Sequence, residues 1–283
     1  MCRRFVAIWF YHLLADWVVR RNPELKDTPF VLAAPERGRM VIKATNTAAQ
    51  AKGIYTGMVV ADCRAILPSL QVLEDIPGKA EHLLNALAGW CIRYTPVAGI
   101  DLPDGLILDV SGCTHLWGGE QRYMEDITKR LNAFGYNIKI ALADTIGAAW
   151  AVARYGRSGS IIEPGRQAEA LMPLHPAALR LEPGIVQRLE KLGLYKIETF
   201  IKLPASALRR RFGQSLLTRL GQALGQEIEV VAPVQPPVPY QERLPCLEPI
   251  RTPAGIEIAL QKLLETLCQR LQKEGKGLRK CVL

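Results

Sequence analysis

Three carboxylates fall close together in this 283-residue sequence: Asp101, Asp104 and Asp109 flank a Pro103-Asp104-Gly105 turn. Carboxylate oxygens are the ligands that hard cations such as Mg²⁺ take. The softer metal ligands are not arranged for such work. His12, His82, His115 and His175 are scattered with no H-x-x-x-H pair, which argues against a histidine metal site. Cys2, Cys63, Cys91, Cys113, Cys246, Cys268 and Cys281 contain no C-x-x-C pair and are odd in number. They read as reduced, mostly buried thiols, not as a disulfide framework.

A second group of residues is basic. Residues 180–283 hold 17 Lys/Arg against 10 Asp/Glu, whereas residues 1–179 hold 19 against 17, so most of the net charge of +9 lies in the C-terminal part. Arg188, Lys191, Lys196 and the run Arg209-Arg210-Arg211 are the candidate phosphate contacts there. A solvated basic face is the competing reading for each one singly.

The elements that must position these groups follow from periodicity and punctuation. Residues 3–10 (through Phe5-Val6-Ala7-Ile8-Trp9-Phe10) read as a buried strand. Met1-Cys2-Arg3-Arg4 before it gives a faint signal-peptide look, but Asp16 and Arg20-Arg21 cut the apolar stretch short. No apolar run reaches the ~20 residues of a membrane span, so a cytoplasmic location without membrane partners is expected. Residues 11–21 read as a helix, 28–34 and 40–44 as strands, 47–52 as a helix capped by Asn46, and 58–66 as another helix stopped before Pro68. A longer amphipathic helix is predicted over 79–94, then two strands (97–100 and 106–110) joined by the Pro-Asp-Gly turn. Helix 119–134, strand 137–143 and helix 146–155, with an Ala-rich face for close packing, complete the segment. The order is β-α-β-β-α-β, a ferredoxin-like pattern with a domain-sized insertion after its first strand. Short helices are expected over 166–231 and a stiff extended linker over 232–239, with four prolines in eight residues. A strand-like piece, a helix over 256–271 with a core stripe of Ile256, Leu260, Leu263, Leu264, Leu267 and Leu271, and a strand from Leu278 onward follow.

Several segments carry a family resemblance. Thr45-Asn46-Thr47-Ala48-Ala49-Gln50-Ala51-Lys52-Gly53-Ile54-Tyr55-Thr56-Gly57-Met58 resembles the fingers motif of the Y-family translesion DNA polymerases, and Leu67-Pro68-Ser69-Leu70 the step that follows it. Phe5–Phe10 resembles their first palm strand, and Leu106-Ile107-Leu108-Asp109-Val110-Ser111-Gly112 the strand of their second acidic motif. Pro103-Asp104-Gly105 and His115-Leu116-Trp117-Gly118-Gly119-Glu120 look most like the degenerate ImuB branch. The resemblance runs over nearly the whole chain. It implies an α+β right hand: a ferredoxin-like palm (1–10 and 78–165), inserted fingers (11–77), a helical thumb with a helix-hairpin-helix (166–231), a Pro-rich linker (232–240) and a truncated little finger (241–283).

The chemistry of that family needs two Mg²⁺ ions ~3.5–4 Å apart for in-line nucleotidyl transfer. The resemblance puts its first Asp at Ala7 and its Asp-Glu pair at Asp104-Gly105, so one carboxylate of three remains. Asp109 matches a structural Asp; Asp101 lies across the turn, as a displaced ligand or an exposed carboxylate. The triphosphate-holding Tyr and Arg match Thr47 and Gln50, and a neutral amide cannot replace a bidentate guanidinium. The aromatic steric gate matches His12, or Tyr11 if the register slips by one. Arg157 matches a phosphate-contacting palm Lys, with an exposed surface arginine as the competing reading. Metal and triphosphate ligands are thus lost together, which implies no resident cofactor, Mg²⁺ mattering only if polymerase activity persists through rearranged ligands.

The DNA-facing parts keep their features. Glu182-Pro183-Gly184-Ile185 opens a helix in the manner of a helix-hairpin-helix, where backbone N–H groups hold a phosphate, with a plain helical hairpin and a Gly cap as the competing reading. The resemblance implies a DNA-binding scaffold on primer-template DNA, working with a C-family error-prone polymerase, a sliding clamp and a RecA-like accessory protein. Gln214-Ser215-Leu216-Leu217 matches a clamp-binding peptide weakly and carries little weight.

Overall fold

The computed structural model describes residues 3–235, 240–246 and 248–282. It falls into two units, Met1–Gln235 and Pro236–Leu283, each described by itself.

The first unit begins with β1 (Phe5–Trp9), whose alternation sends successive side chains to opposite faces. A helix α1 (Leu13–Arg21) leads to a three-stranded sheet of β2 (Phe30–Glu36) and β3 (Arg39–Thr45), with helices α2 (Thr47–Gln50) and α3 (Val60–Ile66), closed by β4 (Gln71–Glu74). The strand order there is β3-β2-β4, with β4 parallel to β2. Asn46 fixes the corner between β3 and α2. Its Oδ1 accepts from Ala49 N and Phe30 N, and its Nδ2 donates to the Thr28 carbonyl. Val31, Ala33, Ile42, Ile54 and Val60 form the core of this insertion.

The chain then returns through α4 (Lys79–Cys91), β5 (Val97–Asp101), β6 (Gly105–Asp109), α5 (Glu120–Ala133) and β7 (Lys139–Ala143). The five-stranded sheet runs β5-β6-β1-β7-β8, with β1 antiparallel to both β6 and β7 and β8 (Ser160–Ile161) parallel to β7. This is the ferredoxin-like order expected, extended by one short strand. Val6, Ile8, Leu106 and Leu108 face α4 and α5 in one core. Phe5, Ala7 and Ile107 face the other way, against α6 (Ile146–Tyr155) and the helices that follow it.

Those helices are α7 (Gln167–Leu171), α8 (Pro183–Lys191), α9 (Ala205–Phe212) and α10 (Gln214–Leu224). Small residues bring α6 and α10 together. A Cβ on Gly147 would lie 2.8 Å from Ala223 Cα, and Thr145 Oγ1 donates to the Ala223 carbonyl at 2.8 Å. Arg4 anchors the far end of the sheet: it is buried, bonded to Glu120 through Nε and Nη2, to Asp144 through Nη1 and to the Ile162 carbonyl.

The second unit holds α11 (Pro253–Lys273), N-capped by Thr252. Of the apolar stripe expected to be core, Leu267 and Leu271 are buried, whereas Ile256 and Leu264 are exposed. The strands expected before α11 and from Leu278 onward do not form: a strand needs a ladder of backbone hydrogen bonds with a partner, and neither segment has one among the described residues. Residues 236–239 of the expected Pro-rich linker lie outside the described residues. The thiols also differ from expectation: Cys63 and Cys91 are buried, but Cys246, Cys268 and Cys281 are exposed, all unpaired. None of the described helices is long and apolar enough to cross a membrane.

Candidate functional site

The carboxylates of the Pro-Asp-Gly turn sit where β5 ends and β6 begins, and a cation is already there. Arg154, near the end of α6, donates through Nη2 to Asp104 Oδ1 at 2.7 Å and to Asp101 Oδ2 at 3.2 Å. Two indoles complete the arrangement: Trp9 Nε1 donates to Asp104 Oδ2 at 2.9 Å, and Trp150 Nε1 to Asp101 Oδ2 at 2.6 Å. The guanidinium also lies over both rings, 5.2 Å from the Trp9 centroid and 4.5 Å from that of Trp150. Asp101 and Asp104 thus share one guanidinium, and Asp101 is not a free surface carboxylate.

Ala7 is not beside the turn. It is buried opposite Ile107 and Ala141, two residues further into the sheet. The β1 residue opposite Gly105 is Trp9. Ala7 and Trp9 share a face because side chains repeat every second residue. His12, the expected gate, is buried, and its Nδ1 bonds to the Thr45 carbonyl at 2.8 Å. Burial pushes its pKa down. Tyr11 instead lines a groove with Thr47, Arg20 and Lys26. Gln50 is half-buried on the same short helix as Thr47.

The fit to a two-metal centre can be tested on the donors themselves. Two carboxylates are engaged by a guanidinium and two indoles, and β1 (Phe5–Trp9) carries no carboxylate. At Gly105 even a Cβ would come within 2.8 Å of Asp101 Oδ2 and 3.1 Å of Arg154 Nη2, so a third carboxylate requires the network to open. Among the described residues no group of three or more His, Cys, Asp or Glu is placed to hold a metal ion. The residues present do not fit the ions. Asp109, the structural carboxylate, accepts from Ser111 N at 3.1 Å.

Arg157 is exposed, three residues after Arg154 and past the end of α6. Sequence reasoning singled out Arg157 and missed Arg154, Trp9 and Trp150. The available signal was their spacing on α6: residues 150 and 154 are four apart and share a helical face.

The basic candidates lie on the helices after α6. Pro183 opens α8 at its first position and Gly184 is exposed, with open space around it. Arg188 donates to the Gly184 and Arg211 carbonyls at 3.4 Å each, tying α8 to α9. Lys191, Arg209, Arg210 and Arg211 are exposed. Leu216 is fully buried, so Gln214–Leu217 is not a free peptide.

Comparison with known proteins fits this architecture. Residues 8–154 match the impB/mucB/samB family. The protein ImuB of Caulobacter vibrioides is 39% identical over 225 residues, 80% of this chain and 49% of the relative. A DNA polymerase IV of Marinomonas sp. is 25% identical over 213 residues, 73% of this chain and 60% of the relative. This chain thus spans about half the length of the ImuB relative. Among solved structures, DinB from Sulfolobus solfataricus superimposes with a TM-score of 0.68 at 19% identity over 81% of this chain and 69% of that one. An insertion ternary complex of Dbh DNA polymerase gives the same values. The fold is the Y-family right hand, and this chain belongs to the impB/mucB/samB family as an ImuB-like member.

Proposed function

We propose that this chain is a non-catalytic Y-family homologue that grips primer-template DNA as an accessory in error-prone translesion synthesis and damage-induced mutagenesis. The observation that carries this reading is Arg154, whose guanidinium occupies the space between Asp101 and Asp104. A fixed cation among the carboxylates and a glycine in place of the third ligand oppose metal-assisted transfer. The DNA grip rests on other residues. Gly184 presents an unencumbered backbone at a helix start, and Arg209, Arg210, Arg211 and Lys191 face outward. Arg157 adds a further exposed cation. In this reading palm, fingers and thumb keep the boundaries expected from the sequence, and the protein acts in the cytoplasm. Its partners are a C-family polymerase, the sliding clamp and a RecA-like protein; the likeness to ImuB supports that set.

Primer extension by the full-length natural protein with Mg²⁺ or Mn²⁺, run beside primer-template binding, tests the proposal. Salt-sensitive binding with no nucleotide incorporation is expected. Robust incorporation that disappears in Asp104→Ala would overturn it in favour of a polymerase with rearranged ligands.

A further inference from the structure

A groove on the opposite side of the five-stranded sheet from α6 has a composition that DNA contact does not explain. Its walls are α1 and α4, and the Phe134–Tyr136 turn after α5 closes one end. It measures about 430 Å³. From α4, Leu83, Ala86, Leu87 and Trp90 repeat at helical spacing along the floor. Phe134 is 40% exposed and meets Trp90 edge to face at 5.1 Å.

The rim is cationic. Arg21 and Lys79 each lie 4.4 Å from the Trp17 ring centroid, Arg20 lies 4.8 Å from that of Tyr136, and Arg93 4.5 Å from that of Trp90. No carboxylate lines the groove. None of these four cations makes an ion pair within 4.0 Å among the described residues, unlike Arg4, Arg154 and Arg180. Asp16, on α1, makes no ion pair with them within 4.0 Å: it is buried, and both its oxygens accept from Asn137.

We infer that this groove docks an acidic amphipathic helix of a partner protein. The floor accepts apolar anchors at i, i+3, i+4 and i+7, the helix-in-groove mode, and the rim meets Asp or Glu on both flanks. Charge complementarity of this kind sets orientation and rejects basic competitors. Single-stranded nucleic acid fits less well, because base stacking needs open aromatic faces, and here the faces carry guanidinium and ammonium groups. The groove lies on the sheet face away from α6 and the helices after it, so its occupant and DNA bound by those helices do not compete. The inference stands whether or not the carboxylate cleft is inert.

The test uses the full chain and two labelled peptides of roughly 18 residues, sharing the same four Leu anchors. One is flanked by Glu and the other by Lys, with binding read by fluorescence anisotropy. The Glu peptide should bind in the micromolar range and weaken with salt. The double variant Arg20→Glu/Arg21→Glu should lose about tenfold or more in affinity for it and gain affinity for the Lys peptide. Trp90→Ala should weaken the Glu peptide while leaving the salt dependence in place. A thermal melt of each variant reports that the fold survives. Equal binding of the two peptides, no saturable binding of the Glu peptide, no effect of the double reversal, or displacement of the peptide by a single-stranded oligonucleotide would each overturn the inference.

Discussion

Arginine is used in opposite ways at the two functional regions of this chain. In the carboxylate cleft Arg154 turns inward, bonded to Asp101 and Asp104 and packed over two indoles. On α9, Arg209, Arg210 and Arg211 are exposed and make no ion pair within 4.0 Å among the described residues. A cation satisfied within the protein has little to offer a ligand, whereas one left in water contributes by releasing counterions when it meets phosphate. The cleft is thus closed by its own charges, and the helices after α6 keep theirs available.

The largest expected break in this comparison comes from the outward side. Reversing Arg209, Arg210 and Arg211 to Glu should reduce primer-template affinity by about 10²- to 10³-fold and lower the salt slope by about 2.7, the value for three lost phosphate contacts. A filter-binding salt titration measures both. If the slope is unchanged, those residues do not touch phosphate.

The inward side should respond in stability instead. Arg154→Met leaves two neighbouring carboxylates with indole donors and no cation. Their side chains are 22% and 27% exposed, so water relieves part of the cost, and a loss of about 3 kcal/mol in urea unfolding is expected. DNA affinity should hold.

Asp16 sharpens the contrast, because it is a buried carboxylate with hydrogen-bond donors but no ion pair. Burial raises its pKa to about 6, partly offset by the two bonds from Asn137. The folded chain therefore keeps a proton that the unfolded chain releases between about pH 4 and 6, and stability from this group falls as pH rises through that window. Asp16→Asn should remove between about 2 and 3 kcal/mol of that pH dependence. Unfolding midpoints at pH 4.5 and 7 check it.

Much of the fold was legible because its signals are local. Asn46 before a short helix, the Pro-Asp-Gly turn and the small-residue run of α6 each act within a few residues, and each appears where expected. The strands β4 and β8 were missed: one is four residues long and the other two, and both depend on a parallel partner remote in sequence. The cleft was half legible. Asp104 stood out by its turn, but its partners Trp9 and Arg154 lie 95 and 50 residues away. The four-residue spacing of Trp150 and Arg154 puts them on one face of α6, but it does not say that the face meets Asp101 and Asp104.

The segment leaving α10 has a second role in the sheet. Val234 N donates to the Ala98 carbonyl at 2.8 Å, and Val231 and Ala232 lie over Gly99, where a Cβ would come within 2.2 Å of Val231 Cγ1. β5 is the outermost strand on that side, and an uncovered edge is a template on which other chains can add. Residues 231–234 therefore cover part of that edge. A version of the protein shortened to residue 230 would keep its sheet but expose that edge, and its failure would be seen in solubility before it was seen in binding.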